Sequence, residues 1–85
     1  MIKIKNQYIF GTNEKQIANI DFIGAYFSPE FATPDRPDYS PEFWHLVIRH
    51  NNDAVIKADG QTYSTESEAL TALDAFIISL GFTLP

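Results

Sequence analysis

The sequence predicts an α+β fold: a four-stranded antiparallel meander followed by one C-terminal helix packed on one face. Three observations carry this. Apolar residues alternate with period two near both ends of the first fifty positions, a cluster of prolines separates two strand pairs, and the last third spaces its apolar residues by three and four. Runs of strands followed by a helix define the α+β class. The 85 residues are expected to form a single domain, 1–85, since that length closes one core and no more.

Residues 2 to 10 read as the first strand. Ile2, Ile4, Tyr8 and Phe10 fall on one side and Lys3, Lys5 and Gln7 on the other, with Asn6 interrupting the apolar side as a bulge or a solvent-lapped edge position. Gly11 to Gln16 is turn chemistry. Ile17 to Phe27 is rich in β-branched and aromatic residues and is expected to pair back on the first strand. Both of its faces are apolar, with Ile20, Phe22 and Tyr26 on one and Ile17, Ile23 and Phe27 on the other. Gly24 then marks a bulge or a close packing point.

The stretch 28–42, SPEFATPDRPDYSPE, holds four of the chain's five prolines: Pro29, Pro34, Pro37 and Pro41. Each fixes φ and removes a backbone donor, so neither a helix nor a central strand can run through, and a loop is expected. Loops of this length in a compact domain are usually functional or disordered. Phe31 and Tyr39 argue for function, being residue types that anchor interfaces.

Phe43 to Ala58 reads as a hairpin. Trp44, Leu46 and Ile48 share one face, while His45, Val47 and Arg49 take the other. A three-residue loop, Asn51 to Asp53, sets Ile48 opposite Ile56 and Leu46 opposite Ala58. A two-residue turn would instead set Leu46 against Lys57 and turn every side chain over. The helix starts at Thr65, whose hydroxyl can cap while Glu68 reaches back to its N–H, with Ser64 as a competing cap. Ala69, Leu70, Leu73, Phe76, Ile77 and Leu80 form its apolar stripe, and Gly81 supplies the left-handed residue that ends it, letting Phe82 fold back onto Ile77.

From Phe43 onward the run W-H-L-V-I-R, then Asn52, Val55-Ile56 and Tyr63-Ser64-Thr65 before an alanine-dotted helix, resembles the ββα unit of the YegP-like family of small bacterial proteins. The resemblance covers residues 43–82, about half the chain. It implies the fold alone, because that family lends no assigned activity.

Net charge is −5, from 6 basic and 11 acidic side chains. A chain of that sign is not expected to bind nucleic acid directly, since such affinity comes from neutralised phosphates. The excess is uneven: +1 up to Phe27, −3 over 28–42 and −3 from Phe43 onward. No cysteine is present, which removes disulfides, zinc–thiolate sites and thiol nucleophiles and fits the expected cytoplasmic location. MIKIKNQYIF alternates lysine with isoleucine and reads as a strand, not a leader. No window approaches the roughly 18 apolar residues of a membrane span.

Chemistry-bearing residues are few. His45 and His50 have opposite parity on one strand and so point to opposite faces, which disfavours a shared metal. Asp35, Asp38 and Glu42 lack the glycine-turned spacing of a calcium loop. Asp59-Gly60 reads as a turn and not a phosphate cradle. Trp44 shares parity with Leu46 and Ile48 and reads as a core anchor. No catalytic residue, metal ligand or cofactor is expected. The favoured reading is a non-enzymatic protein-binding module, a small regulatory or inhibitory protein of bacterial or phage type, whose contact residues are Phe31, Asp35, Arg36, Asp38 and Tyr39. Their acidic setting favours a basic partner surface. The alternatives are a small-molecule pocket or minor enzyme using His45 with Glu42 or Asp38, and a structural homo-oligomer.

Overall fold

The fold is an antiparallel meander carrying one helix on one face, as the alternation and the C-terminal periodicity predict. In the computed structural model, which describes residues 1–11, 19–50 and 56–85, the sheet runs in the order β1 (Ile2–Ile4), β2 (Gln7–Ile9), β3 (Ile20–Ser28), β4 (Phe43–His50) and β5 (Ile56–Lys57). The first four strands make the open meander, and the two-residue β5 extends its edge. Helix α1 spans Glu66–Ser79.

The segment expected as one strand, 2–10, is a hairpin. Ile4 pairs with Gln7, so Lys5 and Asn6 form a two-residue turn in which Lys5 takes φ +54°. Asn6 is thus neither a bulge nor an edge position. The hairpin also separates residues expected to share a face. Tyr8 and Phe10 are buried, while Ile2 and Ile4 are 57% and 54% exposed. Lys3 stands opposite Tyr8, with its ammonium 3.3 Å from Asp74 on the helix. The Tyr8 hydroxyl donates to the same carboxylate at 2.6 Å.

On β3 the irregularity lies at Asp21 and not at Gly24. Ile20 pairs with His50 and Phe22 with Arg49, leaving Asp21 as the extra residue of a bulge. The bulge changes the phase, so that Ile20 and Ile23, three residues apart, both join the core beneath the helix. Gly24 is a close packing point. A Cβ there would stand 3.0 Å from the Tyr26 ring, 3.1 Å from the Gln7 side chain and 3.2 Å from the Asn6 carbonyl.

The β4–β5 register is the one a three-residue loop predicts. Ile48 pairs with Ile56, Val47 with Lys57, and the Ala58 N–H donates to the Leu46 carbonyl at 2.9 Å. The loop itself, Asn51 to Asp53, lies outside the described residues, as do the turn residues Thr12 to Gln16 and the expected strand start at Ile17.

Helix α1 buries Ala69, Leu73 and Ile77 completely, with Leu70, Phe76 and Leu80 packed alongside. Its start follows the expected cap: the Glu68 N–H donates to the Thr65 hydroxyl at 3.2 Å. The Glu68 carboxylate accepts from the Ser64 hydroxyl rather than from the Thr65 N–H, so both candidate caps are used, one on the backbone and one on the side chain. At the far end Gly81, at φ +96°, donates to Ile78 and the Phe82 N–H to Ile77, the paired bonds of a Schellman motif. The Phe82 ring packs on Phe10, with centroids 4.9 Å apart.

Candidate interaction surface: the proline arm and the cleft at its base

The proline-rich stretch is not a wandering loop. Ser28 pairs with Phe43, and three residues further along each strand Phe31 and Ser40 exchange both backbone hydrogen bonds, at 2.9 and 3.0 Å. The β3–β4 pairing therefore resumes past Pro29 and Pro41 as an isolated bridge. No pair forms at the two positions between, where Pro29 and Pro41 each lack an N–H. Beyond Phe31, Ala32 turns through φ +66°, and successive turns are closed by Arg36 N–H to Thr33 carbonyl at 2.9 Å and Tyr39 N–H to Arg36 carbonyl at 3.2 Å. The product is a short arm on the end of the sheet, and the molecule measures 49 × 25 × 19 Å.

The five residues expected to contact a partner lie together on this arm. Phe31, at its base, is 61% exposed. Tyr39 is half-buried, with its hydroxyl on Glu30 at 3.3 Å. Arg36 is held by Asp38 at 3.1 Å, so that pair is self-neutralised. The Asp35 carboxylate accepts from the Thr33 hydroxyl, and that bond holds its pKa below the usual carboxylate value. Glu30, Asp35 and Glu42 thus carry the arm's excess negative charge.

Sequence reasoning missed the cleft at the arm's root. Ile4, Lys5, Asn6, Gln7, Ala25, Tyr26, Phe27 and Trp44 line an open recess of about 420 Å³ between the β1–β2 turn and the end of β3. It exists because β2 is shorter than β3. The Ala25 N–H reaches the Asn6 carbonyl at 2.8 Å, and Phe27, the next residue facing that edge, extends past the turn. Finding it from sequence requires recognising the turn at Lys5-Asn6, which lacks the usual glycine. Trp44 does anchor the core, as its parity predicts, but one flank stays accessible. Its ring tilts against Phe27 at 5.4 Å, and its backbone exchanges hydrogen bonds with Tyr63 at 2.7 and 2.8 Å.

The open face of the sheet is closed by its own side chains. The Arg49 guanidinium lies 4.3 Å over the Phe22 ring and bonds Asp21 at 2.9 Å; Phe22 stacks on Tyr26, whose hydroxyl accepts from Gln7 at 2.7 Å. His45 sits on this face with Nδ1 3.3 Å from the Ser28 hydroxyl. Burial, followed by the nearby Lys57 charge, lowers its pKa and favours the neutral imidazole. No described carboxylate hydrogen-bonds this ring, and neither Glu42 nor Asp38 is brought to it. A base oriented for nucleophilic chemistry needs such a third group. His50, one face over, pairs with Ile20. Among the described residues no cluster of metal-ligating side chains forms, and no helix is long and apolar enough to cross a membrane.

No family model matches the chain, and neither a curated protein nor a solved structure does.

Proposed function

We propose that this chain is a non-enzymatic protein-binding module, a small regulatory or inhibitory protein that engages its partner through the arm from Phe31 to Tyr39. The observation that carries this is an aromatic ring 61% exposed at the root of an internally hydrogen-bonded arm. Holding such a ring in water has no structural return. Prolines and turn bonds fix the backbone beforehand, so little entropy is lost on docking, and the ring is a residue type that dominates interface energetics. The surplus of Glu30, Asp35 and Glu42 suits a basic partner surface and speeds encounter with it.

A double change of Phe31 and Tyr39 to Ala tests the reading. Using the wild-type protein as bait, a stoichiometric partner should be captured, and the double variant should lose it while its thermal midpoint stays within a few degrees. Unaltered capture by a folded double variant removes the arm from the interface. Loss of capture that only tracks unfolding reduces the two rings to cover for the end of the sheet.

A further inference from the structure

Among the described residues five large apolar side chains stand exposed: Ile2, Ile4, Phe27, Phe31 and Ile78. Three of them gather at the arm's root. Ile4 and Phe27 line the 420 Å³ cleft together with Trp44, and Lys5 is the only charged residue in its lining. Phe31 stands four residues beyond Phe27, outside the cleft, with Glu30 next to it and Asp35 further along the arm. One chain thus carries both an apolar recess marked by a cation and an aromatic knob set among acids.

We propose that the arm of a second copy fills this cleft, with Phe31 of each chain entering between Ile4, Phe27 and Trp44 of the other and its acidic flank beside Lys5. This rests on the arm being the contact surface and names its partner. Three features support a second copy over an unrelated protein. The recess is open to solvent on one side, and its 420 Å³ is large enough to receive an aromatic ring with its neighbours. The charge signs are opposite, +1 at Lys5 against −3 over 28–42. Both halves are present at equal stoichiometry, so a twofold axis satisfies both contacts at once, the isologous arrangement commonest among homodimers. The backbone adds a directional element. Like Ala25, whose N–H reaches Asn6, Phe27 turns its N–H and carbonyl to the β2 side of β3, where no strand lies beside it. Those groups face the cleft and can take hydrogen bonds from an incoming arm.

Sedimentation equilibrium across a concentration series decides this with wild type, Phe31→Ala and Lys5→Glu. The wild-type mass should rise from 9.6 kDa toward twice that value. Phe31→Ala should stay at the monomer mass and match the wild-type thermal midpoint at concentrations where the wild type is monomeric, because the ring is exposed in a single copy. Lys5→Glu should raise the dimer dissociation constant at least about tenfold. A wild-type mass of 9.6 kDa at every concentration overturns the pairing, as does a dimer indifferent to Phe31→Ala. A monomeric wild type that still captures another protein through Phe31 and Tyr39 ends this inference and leaves the arm reading standing. Capture that survives the double variant ends that reading instead.

Discussion

Lys5 occupies a backbone conformation that suits glycine. At φ +54° its Cβ crowds the following carbonyl, at a cost of about 1–2 kcal/mol for a residue with a side chain. Lys5→Gly should therefore stabilise the protein by about 1 kcal/mol, less if unfolded-chain entropy takes back part of the gain, as a denaturant midpoint will show. Gly24 is the opposite case. There the space is missing, and Gly24→Ala must displace the Tyr26 ring and press on the Asn6 carbonyl. A loss of about 1–3 kcal/mol is expected, the range of overpacked sites. Tyr63 offers a titration test. Its hydroxyl donates to Asp59 at 2.5 Å, and that bond, with some burial, pushes its pKa up to about 12. Since the folded form keeps the proton longer than the unfolded one, stability from this bond is intact below pH 10 and is lost as pH rises toward 12. Phenolate absorbance should titrate late, with Tyr8 and Tyr39 also raised by burial and neighbouring carboxylates, and Asp59→Asn should bring the Tyr63 component down.

At the scale of elements, the helix tests the packing. Leu73 is fully buried, so Leu73→Ala should cost about 2–5 kcal/mol, whereas the partly exposed Phe76 should cost less when truncated. A variant at Leu73 within about 0.5 kcal/mol of wild type would place the helix on another face. Thr65→Ala should lose about 1 kcal/mol with its cap, and Ser64→Ala distinctly less, because Ser64 bonds only the Glu68 carboxylate. The helix, its caps and the pairing of Ile48 with Ile56 were legible because each is local: a periodicity, a cap residue, a loop length. Three features were not. The β1–β2 turn uses Lys-Asn where glycine-bearing pairs are the signal, the bulge at Asp21 changes phase inside a strand apolar on both faces, and the ladder beyond Pro29 depends on Phe31 and Ser40 meeting across nine positions. Each is decided by what lies across the sheet, which the order of residues along one strand does not carry.

For the molecule as a whole, the arm extends its mass beyond a compact body. The Cα radius of gyration is 14.3 Å, where a compact chain of this length gives about 12 Å. Replacing 32–39 by a two-residue Asn-Gly turn keeps the Phe31–Ser40 pair and touches none of the buried core. X-ray scattering should show a shorter longest dimension, while the denaturant midpoint should move by less than about 1 kcal/mol, within the range of changes made away from the core. A large loss would mean that the arm braces the sheet. The same shortened chain, tested for mass and for capture, separates the body's role from the arm's.

Pro29 has a consequence for polymerisation. It falls where β3 would next present a donor beyond Phe27 on the uncovered edge, and proline has none to present. An uninterrupted aromatic edge is a template on which strands add without limit, the route to fibrils. With the row of donors cut after Phe27, an incoming backbone gains one anchor and no growing front. Replacing Pro29 by Thr would restore the row, and slow thioflavin-positive aggregation of that variant, absent from wild type, is the expected sign that this proline confines the edge to finite partners.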